Sequence, residues 1–198
     1  EYNPAGNYFK EYPSTFGMKV SSLAEIDADN VIISEYASGI FILNKTSGRL
    51  SRLTYVDSHK DNLLRKNPVA VNIVPLADKN ILFVSDSLYL YSLQKRQFSV
   101  LPQPGGASKG NLNCFYSDSV RAMMFRGREV YEFDSRQQTC RLVASLKGYP
   151  DISCAQYDGK SIIYFGSTDG ILSFDTATGE YKQLESDMLR CVTAMVLD

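Results

Sequence analysis

The chain has 198 residues, of which 44% are hydrophobic and 22% are charged, a composition typical of a folded domain with a buried core. The 21 lysine and arginine residues nearly balance the 22 aspartate and glutamate residues, so overall charge attracts the chain neither to nucleic acid nor to an anionic membrane surface. No apolar run reaches the roughly 18 residues that span a bilayer, and no signal-peptide pattern opens the chain. We therefore expect no nucleic-acid partner and no direct membrane contact, and we expect residue 1 to be internal to a longer gene product.

One short pattern recurs four times along the chain. A strand-like apolar stretch ends at Asn44, Ser92, Asp134 or Asp175, and a turn then leads to an aromatic or apolar residue six positions further on. These four positions are 48, 42 and 41 residues apart. A period of about 40 to 50 residues, built from strand-like pieces, predicts a β-propeller whose blades each hold four strands.

Each repeat divides into four predicted strands separated by turn residues. Blade one is predicted to hold strands at Val20–Ile26, Val31–Tyr36, Gly39–Asn44 and Arg49–Thr54, and blade two at Val69–Pro75, Asn80–Ser85, Leu88–Leu93 and Gln97–Leu101. Blade three is predicted to hold strands at Leu112–Ser117, Val120–Phe125, Glu129–Asp134 and Thr139–Ala144, and blade four at Ile152–Tyr157, Ser161–Gly166, Ile171–Asp175 and Glu180–Leu184. Gly179 in the last turn, and Gly48 at the same place in blade one, suit a left-handed backbone.

The repeat also predicts how the chain is divided. Blades one to four are predicted to span residues 15–55, 56–102, 103–145 and 146–185, with an outer strand of a preceding blade at 1–14 and the first strand of a following blade at 186–198. The predicted fold class is all-β: a β-propeller fragment of four complete four-stranded antiparallel blades, with partial blades at both ends and helix confined to short turns. We expect an open arc whose end faces pack against the remaining blades of the parent chain or against a second copy, as a homodimer.

The outer turn of blade four carries a resemblance to a known repeat. Phe174–Tyr181, together with Tyr164–Ile171 before it and Val192–Asp198 after it, resembles the two-component regulator propeller repeat. That repeat builds the periplasmic sensor regions of hybrid two-component systems. The resemblance implies a non-enzymatic, ligand-sensing segment of a larger inner-membrane protein, located in the periplasm, with a glycan oligosaccharide as its ligand and a sensor histidine kinase as its parent.

The residues that carry chemistry are few and scattered. His59 is the only histidine, and the four cysteines lack the close spacing of a zinc site or a redox motif. Most aspartates close strands or form turns, where a short side-chain acceptor is favoured. We therefore expect no catalytic residue, no bound metal and no cofactor, and we expect Cys114 and Cys154 to be free thiols.

Binding residues are expected on the loops. In a propeller blade, the loop between the second and third strands and the connection to the next blade lie on the same face. Arginine, lysine, histidine and tyrosine side chains on that face would suit an anionic or neutral oligosaccharide through hydrogen bonds and stacking. The candidate ligand-binding residues are Tyr36, His59, Lys60, Arg126, Arg128, Tyr149 and Arg190.

Two other functions remain open at the level of sequence. A propeller glycoside hydrolase or lyase would have its active site at the mouth of the channel, and a cluster of perturbed carboxylates there would favour it. A protein-interaction scaffold would instead expose an apolar rim. The candidate residues are also compatible with ordinary surface side chains.

Overall fold

The architecture comes from a computed structural model, which describes residues 20–35, 39–53, 72–85, 87–102 and 110–184. These residues form sixteen strands and one short 3-10 turn, at Ala77–Lys79. The strands are, in chain order, β1 (Val20–Glu25), β2 (Asn30–Glu35), β3 (Gly39–Asn44), β4 (Leu50–Arg52), β5 (Asn72–Pro75), β6 (Asn80–Val84), β7 (Leu88–Ser92), β8 (Gln97–Val100), β9 (Asn113–Ser117), β10 (Arg121–Arg126), β11 (Glu129–Asp134), β12 (Thr139–Ser145), β13 (Cys154–Tyr157), β14 (Ile162–Ser167), β15 (Gly170–Asp175) and β16 (Tyr181–Leu184).

The strands form four separate sheets of four strands each, and in every sheet the spatial order follows the chain order. All neighbouring strands are antiparallel. Each sheet is therefore one blade, and the predicted all-β fold with four complete antiparallel blades is confirmed. The partial blades predicted at 1–14 and 186–198 lie outside the described residues, and the boundaries between blades stay a prediction.

The predicted strands are present in every blade, with ends that differ by a few residues. β3 and β11 have the predicted bounds, whereas β4 is shorter than predicted, at three residues. β4 pairs on one edge only, with β3. β10 begins at Arg121 because the N–H groups of both Val120 and Arg121 donate to the carboxylate of Asp118, which holds Val120 in the preceding turn.

The blades pack side by side with their first strands together. β5 contacts β1 and β9, and β9 contacts β13, so the first strand is the innermost strand of each blade. The hydrophobic core lies in the seams between blades and not within any single sheet. In the seam between blades two and three, Leu82 and Leu88 are fully buried together with Met124 and Phe133.

The other two seams follow the same rule. Ile32 of blade one packs with Phe83 and Tyr91 of blade two, and Val130 of blade three packs with Phe165 of blade four. Tyr116 of blade three and Tyr157 of blade four meet edge to face, with ring centroids 4.8 Å apart. Aromatic side chains within the strands therefore join neighbouring blades.

The two ends of each blade carry different connections. At one end, the first and third turns of a blade lie side by side, because Lys45, Leu93, Ser135 and Thr176 each donate a backbone hydrogen bond to the first turn of their own blade. We call this end the double-turn face. The opposite end carries the second turns and the connections between blades, and we call it the connection face.

Aspartate side chains hold the first turn in three of the four blades. Asp27, Asp118 and Asp158 each accept hydrogen bonds from backbone N–H groups two and three residues further along the chain. Blade two departs from this pattern. Its first turn is the 3-10 turn, in which Asp78 and Lys79 both have a φ of 57°, a left-handed value that is uncommon for residues other than glycine.

The third turn of each blade contains one left-handed residue. Gly48 in blade one and Gly179 in blade four have φ values of 70° and 77°, as the sequence predicted. Arg96 and Gln138 occupy the equivalent positions in blades two and three, with φ values of 52° and 53°. A Cβ atom makes this conformation less favourable by roughly 1–2 kcal/mol, so blades two and three hold backbone strain that the other two avoid.

We expect Arg96→Gly to raise the free energy of unfolding by roughly 0.5–1 kcal/mol, because relief of the left-handed strain exceeds the freedom that glycine adds to the unfolded chain. Gly179→Ala is expected to lower it by about 1 kcal/mol through the backbone alone. An added Cβ atom at that glycine would meet no atom within 4 Å. Urea unfolding followed by circular dichroism measures both changes, and equal stability of the three proteins would contradict the equivalence of these turns.

The turn aspartates also make stability depend on pH. Burial raises the pKa of Asp158, but hydrogen bonds from the backbone N–H groups of Lys160, Ile162 and Ser161 outweigh it and hold the pKa below its ordinary value of 3.8. The folded state therefore favours the carboxylate. Its stabilisation is complete above the pKa of the unfolded chain and is lost as the pH falls through the lower pKa of the folded state.

Asp158→Asn tests this dependence, because asparagine keeps an acceptor oxygen at the turn but does not titrate. We expect its free energy of unfolding to fall less between about pH 5 and pH 2 than that of the unsubstituted chain. Urea unfolding at a series of pH values measures the difference. A variant that loses as much stability in acid as the unsubstituted chain would show that Asp158 does not contribute.

Candidate functional site

The described part of the connection face centres on the second turn of blade three. Arg126 and Arg128 flank Gly127, which takes a φ of 58°. The N–H group of Leu146 donates to the carbonyl of Arg128 at 2.8 Å, and the N–H group of Ile152 donates to the carbonyl of Gly127 at 3.0 Å. The connection that leads to blade four is thereby fixed against this turn.

Arg128 reaches that connection with its side chain. Its Nε atom donates to Oδ1 of Asp151 at 2.9 Å, and the two side chains are 51% and 74% exposed. A guanidinium group carries five N–H donors in a planar fork, so an ion pair through Nε leaves other donor directions toward solvent. Arg128 therefore combines exposure, charge and a fixed orientation on the predicted face.

Arg126 lies apart from Arg128 and is only 7% exposed. It ends β10, two residues beyond Met124, which is buried in the seam between blades two and three. Burial raises the pKa of Tyr131 and raises that of Cys140 to about 12, and the positive charge of Arg126 opposes both shifts. The structure therefore places Arg126 in a seam and Arg128 on an exposed turn, and does not bring the two guanidinium groups together as one surface.

Tyr149 lies in the seam between blades three and four. Its ring centroid is 6.4 Å from that of Tyr181, which in turn stacks on Phe174 at 4.6 Å. Tyr181 is 39% exposed, so the stack presents an accessible aromatic surface. Tyr181 is not among the candidates predicted from the sequence, because those lie in loops and Tyr181 lies in β16. The signal that finds it is its place on an outermost strand, where one edge has no neighbouring strand.

The remaining predicted candidates lie outside the described residues: Tyr36, His59, Lys60 and Arg190. Their part in a site stays a prediction. Of the described candidates, Arg128 and Tyr149 both belong to the junction of blades three and four, whereas Arg126 belongs to the preceding seam.

A polar cleft on the double-turn face was not predicted from the sequence. It lies between blades two and three, has a volume of about 280 Å³, and is called here the two–three cleft. Its polar lining residues include Asp78, Asn80, Ser92, Lys95, Gln97 and Gln138. The sequence signal that points to it is Gln138, which stands in a turn where Gly48 and Gly179 stand in other blades.

The described cysteines are neither placed nor ionised for nucleophilic or metal chemistry. Cys114, Cys140 and Cys154 form no disulfide with one another, and burial raises the pKa of Cys114 to about 11. Thiols with such pKa values stay protonated near neutral pH and are weak nucleophiles. Within the described ranges, no group of three or more histidine, cysteine, aspartate or glutamate residues is placed to hold a metal ion.

Comparison with known proteins supports the fold. The sequence matches no protein-family model and no curated protein. Two solved structures of the extracellular domain of BT4673 from B. thetaiotaomicron match with sequence identities of 15% and 16%, each at a TM-score of 0.69. The chain shares the fold of these extracellular domains. BT4673 is described as a one component system in one structure and as a hybrid two component system in the other.

The matches cover 91% and 90% of this chain, which spans only 25% and 24% of the two matched chains. The predicted resemblance to the propeller regions of two-component sensors is thereby confirmed as a likeness of fold. In the part of the chain that the structure describes, no helix has the length and apolar character needed to cross a membrane.

We expect the ion pair between Arg128 and Asp151 to contribute little to stability, because exposed pairs are worth about 0–1 kcal/mol. A double-mutant cycle with Arg128→Ala and Asp151→Ala is expected to give a coupling free energy below about 1 kcal/mol. Urea unfolding measures it. A larger coupling would mean that the pair is a structural clasp between blades three and four and not an accessible group held ready for a ligand.

Proposed function

We propose that this chain is a non-enzymatic, ligand-sensing propeller segment of a hybrid two-component sensor, located in the periplasm as part of a larger inner-membrane protein. The observation that carries the proposal is the fold, which is shared over 90% of the chain with an extracellular domain described as belonging to a hybrid two component system. At 16% identity this likeness concerns the fold alone, and a fold hosts many functions. The chemistry of the described residues therefore supplies the second support.

The proposed ligand is a glycan oligosaccharide. Small ligands are oriented by a few polar side chains beside apolar or aromatic ones, and sugar hydroxyls both donate and accept hydrogen bonds. Arg128 and Asp151 supply exposed donors and acceptors on the connection face. Tyr149 and Tyr181 supply stacked rings in the neighbouring seam. We propose that Arg128 and Tyr149 contact the ligand there.

The fragment is proposed to sense and not to catalyse. A general acid for glycoside cleavage needs a carboxyl group whose pKa is raised toward the working pH. Among the described aspartates and glutamates, those with a resolved shift are Asp27, Asp118 and Asp158, and all three have a lowered pKa. Each of the three serves a turn as a hydrogen-bond acceptor. This distribution favours binding over acid catalysis.

The proposed signal passes through the seams. Each blade buries its apolar side chains against its neighbours, so a ligand that contacts two blades changes the relative stability of their arrangements. The remaining blades of the parent chain and its kinase would receive that change. The chemistry of phosphoryl transfer then belongs to the rest of the parent and not to these blades.

The experiment is a titration of the purified 198-residue chain with a panel of neutral and acidic oligosaccharides, followed by calorimetry and by chromatography of the sugars. We expect one class of oligosaccharide to bind and to be recovered intact. We expect Arg128→Ala to weaken its binding roughly tenfold or more, as for loss of a hydrogen bond to a charged group. Arg49→Ala, which removes an exposed arginine from the third turn of blade one on the double-turn face, serves as the matched control and should bind normally.

The other outcomes separate the competing functions. Cleavage of a panel member would contradict the non-enzymatic proposal and favour a propeller glycoside hydrolase or lyase. If no oligosaccharide of the panel binds, the proposed ligand class is wrong. A protein-interaction scaffold is then the better hypothesis.

A further inference from the structure

We propose that the two–three cleft is a second ligand site, and that it takes one ring of a neutral, polyhydroxylated ligand such as a sugar residue. This inference rests on the proposed sensing function and adds a binding site on the face opposite to the predicted one. The volume of the two–three cleft, about 280 Å³, corresponds to roughly nine water molecules, which suits a single sugar ring and not a long chain.

The lining side chains have the chemistry of a sugar site. Asn80, Gln94, Gln97 and Gln138 carry amide groups, each with two donors and one acceptor, and Ser92 carries a hydroxyl group. Within the described part of the chain, these four amide side chains form no hydrogen bond with the protein. Leu90 adds a buried apolar surface. Sugar hydroxyl groups on an apolar ring match this mixture of donors, acceptors and apolar floor.

The charges of the cleft favour a neutral ligand. Asp78 and Lys95 are its only lining residues with formal charge among those described, and their charges cancel. An anionic ligand would meet the carboxylate, and a cationic ligand would meet the ammonium group. An equivalent cleft between blades one and two, lined by Arg52 and Arg96 beside Tyr91, has a positive balance instead. The two–three cleft therefore differs from its own structural counterpart in charge.

On the side of blade three, the cleft is lined by a residue type that differs from the glycine of blades one and four, although the left-handed backbone is the same in all four blades. Gln138 holds a left-handed φ of 53° at a turn position that is filled by Gly48 and Gly179 in other blades. Glycine would occupy this position without strain. Backbone strain of this kind persists where the side chain is useful, and it clusters at ligand sites. The strained residue here is one that lines the cleft.

On the side of blade two, the backbone itself departs from the repeat. In the other blades an aspartate accepts backbone hydrogen bonds within the first turn, but in blade two that aspartate is replaced and Asp78 lines the cleft with a φ of 57°. The turn is held by a backbone hydrogen bond of 2.8 Å from Ala77 to Ser119 of blade three. Both sides of the cleft thus differ from the repeat where they present a polar side chain, in residue type at Gln138 and in backbone at Asp78.

The test is a titration of the isotope-labelled 198-residue chain with glucose, galactose, mannose, xylose, maltose and cellobiose, followed by the side-chain amide signals in nuclear magnetic resonance. At least one of these sugars is expected to shift the amide signals of Asn80, Gln97 and Gln138 in a saturable way. Gln138→Gly removes one amide and is expected to weaken binding roughly five- to tenfold. The same change relieves backbone strain, so the loss of binding should accompany unchanged or higher stability and is not explained by misfolding.

Gln183→Ala is the matched control, because it removes an exposed amide side chain from the outer strand of blade four, which contributes no residue to the two–three cleft. It should bind the sugar as the unsubstituted chain does. Normal binding by Gln138→Gly, or sugar binding that leaves the three amide signals unshifted, would overturn the cleft proposal and leave the sensing function intact. Failure of every probe sugar to bind, with oligosaccharides bound in calorimetry, would likewise remove only the cleft. Failure in both experiments would remove the proposed ligand class as well.

Discussion

The structure depends on the packing of each sheet against the next. A four-stranded sheet has two faces and encloses nothing, so its apolar side chains leave water only when a neighbouring blade covers them. Leu82 and Leu88 of blade two are fully buried because Met124 and Phe133 of blade three lie opposite them. Burial of one such side chain is worth roughly 1.5–3 kcal/mol, so the seams, repeated three times among the described blades, supply the main stabilisation of the fold.

This constraint also decides where binding chemistry can be placed. The middle strands of each blade are committed to the seams, and polar side chains are left to the turns, the connections and the outer ends of the seams. Arg128 is held by such a connection, since the chain leading to blade four bonds to the backbone of its turn. The two–three cleft arises at the outer end of a seam, where Leu90 is still buried but Ser92 and Gln97 reach the surface. Rigid seams thereby orient polar groups that are themselves exposed.

The sequence predicted the fold because the propeller repeat is encoded locally. Strand alternation, the period of about 40 to 50 residues, and glycines such as Gly179 each act over a few neighbouring positions. The candidate site was harder to predict because it depends on which side of a strand a residue faces. The sequence predicts a strand that ends at Phe125 and places Arg126 in a loop, but β10 continues through Arg126, and its spacing of two from Met124 carries it into a seam. The two–three cleft joins Asn80 and Gln138 across two blades, and no local pattern relates them.

Because the blades repeat, an unusual residue in one turn can be compared with the residues at the same position in the other blades. Equivalent turns have the same length and the same left-handed position, so the glycines at Gly48 and Gly179 show what the backbone favours when nothing else acts on it. A departure at one turn alone needs no ligand, because a strain of about 1 kcal/mol leaves most domains folded, and Arg96 shows the same departure without lining the two–three cleft. Departures on both walls of one cleft are different. The first turn of blade two and the third turn of blade three belong to separate hairpins, and what they share is the cavity that Asp78 and Gln138 line together. A common ligand is a cause that acts on both, whereas local folding acts on each alone.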